Sequence, residues 1–213
     1  MFKDRNDAGR QLAEKLVKFK KEHVVVLAIP RGGLPVGAQV ANSLKARLDV
    51  ALTKKIGHPT NKEYAIGAVS LDSIFLTINT GVNKRYIEEE TDRIRNTLRI
   101  RYNQYYKQQS PANLKNKTVI IIDDGVATGN TLLATIELVY KQTPSKIVIA
   151  IPVAPVSAMH KISKITHVDE VICILIPENF RAVGQFYENF EQVTDQKAIQ
   201  ILEKTNSKKP NGL

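Results

Sequence analysis

Apolar residues along this chain fall into two rhythms that alternate. Short apolar runs occur at residues 24–29, 119–122, 146–151 after its leading Lys146, and 171–176, and a β-rich run returns at 48–53. A run without polar alternation fits a strand covered on both faces, as in a parallel sheet. Between the runs, apolar positions recur at helical spacing. Ala8, Leu12, Leu16 and Phe19 predict a helix over 7–20 with Asn6 or Asp7 as its cap. Ala38, Ala41 and Leu44 predict a second helix, and Leu132, Leu133, Ile136, Val139 and Tyr140 another after Gly129. A long charged helix is expected over 83–108, with Ile87, Ile94, Leu98 and Tyr102 as its buried stripe and Ser110-Pro111 ending it. Shorter helices are expected over 156–162 and 195–203.

The pattern breaks in two places. Lys54-Lys55-Ile56-Gly57-His58-Pro59-Thr60-Asn61-Lys62 is polar and turn-rich, so it reads as a long mobile loop of the kind that serves as a lid. A short hairpin around Asp72-Ser73, from 65–71 and 74–78, follows it. Near the other end, Pro177 leads into an aromatic segment over 180–190. Strands alternating with helices predict a single α/β domain over 1–206 built on a parallel sheet. The lid would span about 54–64, a hood-like segment about 177–205, and a frayed tail 207–213.

Composition sharpens this only in part. A chain of 213 residues with 43% apolar content can bury a substantial core. No run approaches the roughly 18 apolar residues of a membrane-spanning helix. The first residues, Met1-Phe2-Lys3-Asp4-Arg5-Asn6-Asp7, are too charged for a signal peptide, so a cytoplasmic protein without a membrane partner is expected. The single cysteine, Cys173, lies inside an apolar run and reads as a small core residue. A net charge of +10 attracts polyanions, with a concentration at Lys84, Arg85, Arg93, Arg95, Arg99 and Arg101. Glu88 to Glu90 and Asp92 interrupt it, so a solvated helix face or attraction of small phosphorylated substrates is preferred to nucleic acid. His23, His58, His160 and His167 have no metal-ligand spacing, and no metal site built from a side-chain cluster is expected.

The candidate chemistry lies in two strand–turn–helix junctions. In Val119-Ile120-Ile121-Ile122-Asp123-Asp124-Gly125-Val126-Ala127-Thr128-Gly129-Asn130-Thr131, a strand ends in two carboxylates and a helix opens after a short loop. Unpaired N–H groups and the positive end of the dipole at a helix start suit a phosphate. The paired aspartates suit ribose hydroxyls or a hydrated Mg²⁺. Pro30-Arg31-Gly32-Gly33-Leu34-Pro35-Val36-Gly37 is a second glycine-bearing junction and a second candidate anion cradle. Adjacent subsites for a phosphate and a diol describe a sugar phosphate. Other readings stay open at this level. The glycines would serve tight turns alone, the acid pair would cap a helix, Lys54 and Lys55 would be solvated, and Phe180 and Tyr187 would pack in the core.

The segment Asp123 to Thr131 resembles the phosphoribosyl pyrophosphate signature of type I phosphoribosyltransferases. Ile29-Pro30-Arg31-Gly32-Gly33-Leu34-Pro35-Val36-Gly37, Ala65-Ile66-Gly67-Ala68-Val69 and Phe180-Arg181-Ala182-Val183-Gly184-Gln185-Phe186-Tyr187 resemble a bacterial group of phosphoribosyltransferases whose acceptor is unassigned. The resemblance implies the type I fold, a Rossmann-like parallel sheet flanked by helices with a small hood or lid. It also implies transfer of a phosphoribosyl group to a nitrogen acceptor, with Mg²⁺ as cofactor, release of pyrophosphate and a homodimeric assembly. Asp123 and Asp124 would bind the ribose hydroxyls, and Gly125, Val126, Ala127, Thr128, Gly129, Asn130 and Thr131 would wrap the 5′-phosphate. Arg31, Gly32 and Gly33, often with a non-proline cis peptide, would hold the pyrophosphate, with Lys54 or Lys55 adding a cation. Glu63 would close the lid, and Phe180 and Tyr187 would meet the base. Mg²⁺ would be carried mainly by substrate and water. Ala127 stands where the 6-oxopurine enzymes carry an aspartate, so purine chemistry through that residue is not implied. The alternative is a regulator that senses phosphoribosyl pyrophosphate without turnover and contacts nucleic acid or a protein partner through the basic helix.

Overall fold

A computed structural model of the chain describes residues 1–62, 64–77, 81–107 and 110–207. Strands β1 (Val24–Ala28), β2 (Arg47–Val50), β6 (Thr118–Ile122), β7 (Lys146–Val153) and β8 (Glu170–Leu175) form one parallel sheet in the order β2-β1-β6-β7-β8. Side chains alternate across each strand, so every strand feeds both faces. Val26, Ala28, Ile120, Ile122, Val148 and Ala150 pack in a cluster with α1 (Arg5–Leu16), α2 (Gly33–Leu44) and α6 (Asp195–Ser207). Val25, Leu27, Val119, Ile121, Ile147 and Ile149 pack with α4 (Asn130–Tyr140) and α5 (Val156–Ile162). Both sets are buried, which is the physical reason the runs lack alternation.

The chain order around this sheet fixes where a ligand belongs. From β1 the chain crosses through α2 to β2, whereas from β6 it crosses through α4, on the other face, to β7. Beyond the carboxyl ends of β1 and β6 the two crossovers part and leave a crevice, the usual ligand position in an open parallel sheet.

Several local details differ from the expected ones. Helix α1 is capped by Asp4, whose side chain accepts from Asp7 N at 2.7 Å, rather than by Asn6 or Asp7. A 3₁₀ turn, Val17–Phe19, then carries Phe19 into the core. Tyr140 leaves the apolar stripe of α4 and stacks at the surface on His167, with centroids 4.3 Å apart. Cys173 is half-buried against the α4–α5 side, where burial pushes its thiol up to about 11.

The largest correction concerns the expected loop over 54–62. Lys54–Gly57 is strand β3, antiparallel to β4 (Ala65–Val69), which pairs in turn with β5 (Ile74–Leu76) in a separate sheet. Two lysines hide the strand pattern, because Ile56 is its one large apolar anchor. Ile56 packs with Ile66, Val69 and with Ile94 and Leu98 of α3 (Lys84–Tyr106), forming a small core of its own. The hairpin around Asp72-Ser73 is present, with Ile78 outside the described residues. Asn83 caps α3 through its side chain, which accepts from Arg85 N at 2.8 Å, and Gln108 lies outside the described residues.

A second correction concerns the segment 177–205, expected to be hood-like. Its helix α6 belongs to the main layer, packed against α2 and β2. Asn206 bonds the edge strand β2 twice, accepting from Leu48 N at 3.1 Å and donating to Leu48 O at 2.9 Å. That satisfies an exposed edge, so α6 runs on to Ser207, where a frayed tail was expected. Residues 208–213 lie outside the described residues.

Candidate active site

Strands β1 and β6 end level, with Ile29 N donating to Ile122 O at 2.8 Å. The chain leaves β1 through Pro30–Gly32 into α2, and leaves β6 through Asp123–Gly129 into α4. The free first-turn N–H groups of both helices therefore open toward the same edge of the sheet. The two turns press on each other. A Cβ at Gly32 would lie 2.0 Å from Asp124 Oδ2, and one at Gly33 would lie 2.7 Å from Ile122 O and 3.1 Å from Asp123 Cα. Glycine stands at both positions because the approach leaves no room for a side chain. The Pro30–Arg31 peptide is cis.

The two acids have different surroundings. Asp124 accepts from Arg5 Nε at 2.7 Å, and both side chains are nearly buried. Arg5 also donates to Glu191 O at 2.7 Å and places its guanidinium 3.8 Å from the centroid of Phe190. The backbone carbonyl of Asp124 accepts from the Tyr187 hydroxyl at 2.5 Å. Asp123 keeps partial exposure, and its Oδ1 accepts from Asp124 N at 2.8 Å. Burial and then the neighbouring Asp124 charge push the Asp123 carboxyl well above the usual carboxylate range, with Arg5 acting in the opposite sense.

Behind the acids, the two terminal segments clasp each other. Phe2 N donates to Phe186 O at 2.8 Å, while Phe2 O and Lys3 O accept from Glu188 N and Asn189 N, each at 2.9 Å. Tyr187 is 5% exposed, with its ring between those of Phe2 and Phe190 at 5.2 and 4.9 Å. It is therefore a packing residue with no face left for a nucleobase. Phe180 is half-buried and stacked on Phe186 at 5.6 Å. It lines a cavity of about 620 Å³ with Glu178, Asn179, Arg181 and Gln185. Val183 ties this segment to the acid loop, since a Cβ at Gly125 would lie 2.5 Å from Val183 Cγ1.

The rest of the acid loop is divided between core and surface. Val126 is buried and donates from N to Val153 O at 2.9 Å, whereas Ala127, Thr128 and Thr131 are exposed. Gly129 has φ +81°, a left-handed conformation that glycine adopts without strain. Asn130 is the first residue of α4. Lys161 of α5 donates to Thr128 O at 3.2 Å and brings a cation to the loop.

The candidate pyrophosphate cations are spread more widely. Arg31 Nη1 lies 3.4 Å from Asp195 Oδ2, the first residue of α6. Tyr105 is buried beside that pair, and burial together with the Asp195 charge pushes its hydroxyl up to about 12. Lys54 and Lys55 sit side by side on β3, which follows β2 at the crevice edge of the sheet. The Lys54 charge reaches Glu90 of α3, whose carboxyl is held down mainly by its bond to Arg93. Glu63, the expected lid residue, lies outside the described residues. Part of the basic face of α3 is neutralised by pairs on the same helix, Lys84–Glu88, Arg85–Glu89 and Arg93–Glu90. Among the described residues no group of three His, Cys, Asp or Glu side chains gathers as a metal cluster, and no helix is long and apolar enough to cross a membrane.

Two residues at the site, Arg5 and Lys161, are not among those the sequence singles out. Arg5 does carry a signal, because it continues the apolar stripe of α1 one turn before Ala8 and is buried with it. A charged residue in that position needs a buried partner. Lys161 carries none, since only the fold brings α5 to the acid loop.

The paired turns lie at the switch point of the parallel sheet, where open α/β sheets bind ligands, and comparison with known proteins names the family. Residues 3–191 match the model of the phosphoribosyl transferase domain, and the chain belongs to that family. A Mycobacterium tuberculosis H37Rv protein named "Putative phosphoribosyl transferase" is 34% identical over 211 residues, which is 97% of this chain and 47% of that protein. The chain thus spans about half the length of the curated relatives it matches. The crystal structure of TT1426 from Thermus thermophilus is similar at 37% identity and a TM-score of 0.89, covering 96% of this chain and 98% of that one. A hypothetical protein from Neisseria gonorrhoeae with bound ppGpp covers 96% of this chain and 98% of its own at 12% identity and a TM-score of 0.50, a likeness of fold alone.

Proposed function

We propose that this chain binds Mg²⁺–phosphoribosyl pyrophosphate in the crevice between β1 and β6. It would transfer the phosphoribosyl group to a nitrogen of a nucleobase-like acceptor and release pyrophosphate. The observation that carries this reading is the contact between the two turns, Gly32 on Asp124 and Gly33 on Asp123. That contact supports a reading with an anion cradle on each side of an acid pair. A ribose with a phosphate at one end and a diphosphate at the other has that order of charges and hydroxyls.

In this reading the loop 125–131 holds the 5′-phosphate through its amides and the Thr128 and Thr131 hydroxyls, with Lys161 nearby. Asp123 accepts from a ribose hydroxyl. Arg31, Gly32 and Gly33 hold the pyrophosphate, with Lys54 and Lys55 supplying positive charge from β3. Breaking the bond from C1 of ribose to the pyrophosphate oxygen builds positive charge on the sugar and negative charge on the leaving group. Asp123 in its ionised form favours the first, and Arg31 with the lysines favours the second. Mg²⁺ fits this donor set as a substrate-borne ion, because Asp124 is already committed to Arg5. Magnesium commonly keeps its waters and the oxygens of substrate phosphates. Arg31, Gly32 and Gly33 would hold the pyrophosphate that carries it, and its charge would offset that of the leaving group.

The acceptor would lie toward the 178–185 segment, which Val183 ties to the acid loop and whose cavity, walled by Phe180, has a volume that suits a small ring compound. Ala127 offers no base to an acceptor, so deprotonation of a 6-oxopurine from that position is not proposed. The test is pyrophosphate release from Mg²⁺–phosphoribosyl pyrophosphate across a panel of purine and pyrimidine bases. Release with a particular base supports transferase activity. Saturable binding without release with any base would support the sensing alternative instead.

A further inference from the structure

The acid pair places a difficulty at the centre of the donor site. Asp124 Oδ2 lies against the Cα of Gly32, inside the loop that this reading gives to pyrophosphate. An unpaired carboxylate there would repel the ligand, since two like charges a few ångströms apart interact strongly outside bulk water. Arg5 removes the difficulty. Its Nε bonds that same oxygen at 2.7 Å, and Glu191 O and the Phe190 ring hold the guanidinium from behind. Tyr187 fixes the backbone of Asp124 from the same side.

We infer that Arg5 is a positioning residue of the donor site. It neutralises Asp124 and parks its carboxylate against Gly32, so that of the acid pair Asp123 is the one left to meet the ribose. The inference rests on the proposed donor reading and divides the labour within it: Asp124 is an anchor, and Asp123 is the contact. It also gives the terminal clasp a task. Phe2, Glu188 and Asn189 join the two ends of the domain, and that joint sets the place from which Arg5 reaches the crevice.

The test is calorimetric titration of Mg²⁺–phosphoribosyl pyrophosphate into the wild type and D123N, D124N, R5K, R5L and R5L/D124N, with a melting curve for each. D123N is expected to weaken binding ten- to a hundredfold without loss of melting temperature. D124N is expected to lower the melting temperature and weaken binding by a much smaller factor. R5L strands the Asp124 charge and is expected to weaken binding at least tenfold, and adding D124N to it should recover most of that loss. Should R5L prove too unstable to titrate, R5K retains the charge without the planar fork, and binding intermediate between R5L/D124N and wild type is expected. A purely structural Arg5 would lower the melting temperature in R5L and R5L/D124N alike, with no recovery of affinity. That outcome, or equal losses of affinity in D123N and D124N, overturns the inference while leaving the donor reading intact. A wild type that binds no ligand overturns both.

Discussion

The acid loop and strand β3, both given a place at the donor site in the proposed reading, are built in opposite ways. The acid loop is held from every side by parts of the chain distant in sequence: Arg5 and Phe2 from the start, Val183 to Glu191 from the end, and Gly32 from the neighbouring turn. Strand β3 belongs to a three-stranded sheet whose core, Ile56, Ile66, Val69, Ile94 and Leu98, is separate from the main one. It joins the main domain through α4, by Thr53 to Thr135 at 2.8 Å and the cluster of Ala68 with Ala134 and Leu138, and through Leu52, which packs against both cores. A carboxylate that must meet a ribose hydroxyl needs fixed geometry. Cations that neutralise a diphosphate act over longer distances and tolerate a looser mount.

The strongest way to break this comparison is to empty the smaller core. I94A removes a fully buried side chain and should destabilise the β3–β5 unit by about 2–5 kcal/mol. Hydrogen exchange should then show β4 amides losing protection while β1 and β6 keep theirs. Uniform loss across both sheets would show that the two units are one. Next in size is G33A, whose new Cβ meets the Ile122 carbonyl. A loss of about 1–3 kcal/mol is expected in a chemical melt, along with weaker ligand binding.

A smaller effect separates the two acids by sign. The folded state raises the Asp123 carboxyl above its unfolded value, so its contribution to stability is complete below about pH 3.9, the unfolded value. That contribution is lost as pH rises through the raised folded value. D123N removes the loss, so its melting temperature should exceed that of wild type at neutral pH, and the gap should widen from pH 4 upward. D124N should instead lower the melting temperature, because it leaves Arg5 without its anion. The mildest change expected is in K54A and K55A. Each should weaken ligand binding severalfold at low salt and less at high salt, as screened charges do, with little change in melting temperature.

How legible all this was differs by region for physical reasons. Strands buried on both faces leave unbroken apolar runs, so β1, β6 and β7 and the helices between them could be read directly from the residues, as could the partly buried edge strand β8 from its own apolar run. The two glycine turns were visible because close backbone approach excludes side chains. Strand β3 is hidden because Lys54 and Lys55 replace the apolar residues a strand signal requires, leaving Ile56 to anchor it alone. Tyr187 reads as a base contact because an aromatic residue looks the same in a pocket wall and in a core. Its burial depends on Phe2, nearly the whole chain away. The Arg5–Asp124 pair spans 119 positions and belongs to no local pattern. Only the buried stripe of α1 hints at it.

The most direct test is the titration of Mg²⁺–phosphoribosyl pyrophosphate into wild-type protein and into D123N under the same conditions. Saturable binding by wild type is expected, reduced ten- to a hundredfold in D123N, as loss of a charge-assisted hydrogen bond worth about 1.5–3 kcal/mol implies. The melting temperature of D123N should be equal to or above that of wild type. No binding by wild type, or the same affinity in D123N, would contradict the assignment of this crevice to the phosphoribosyl donor.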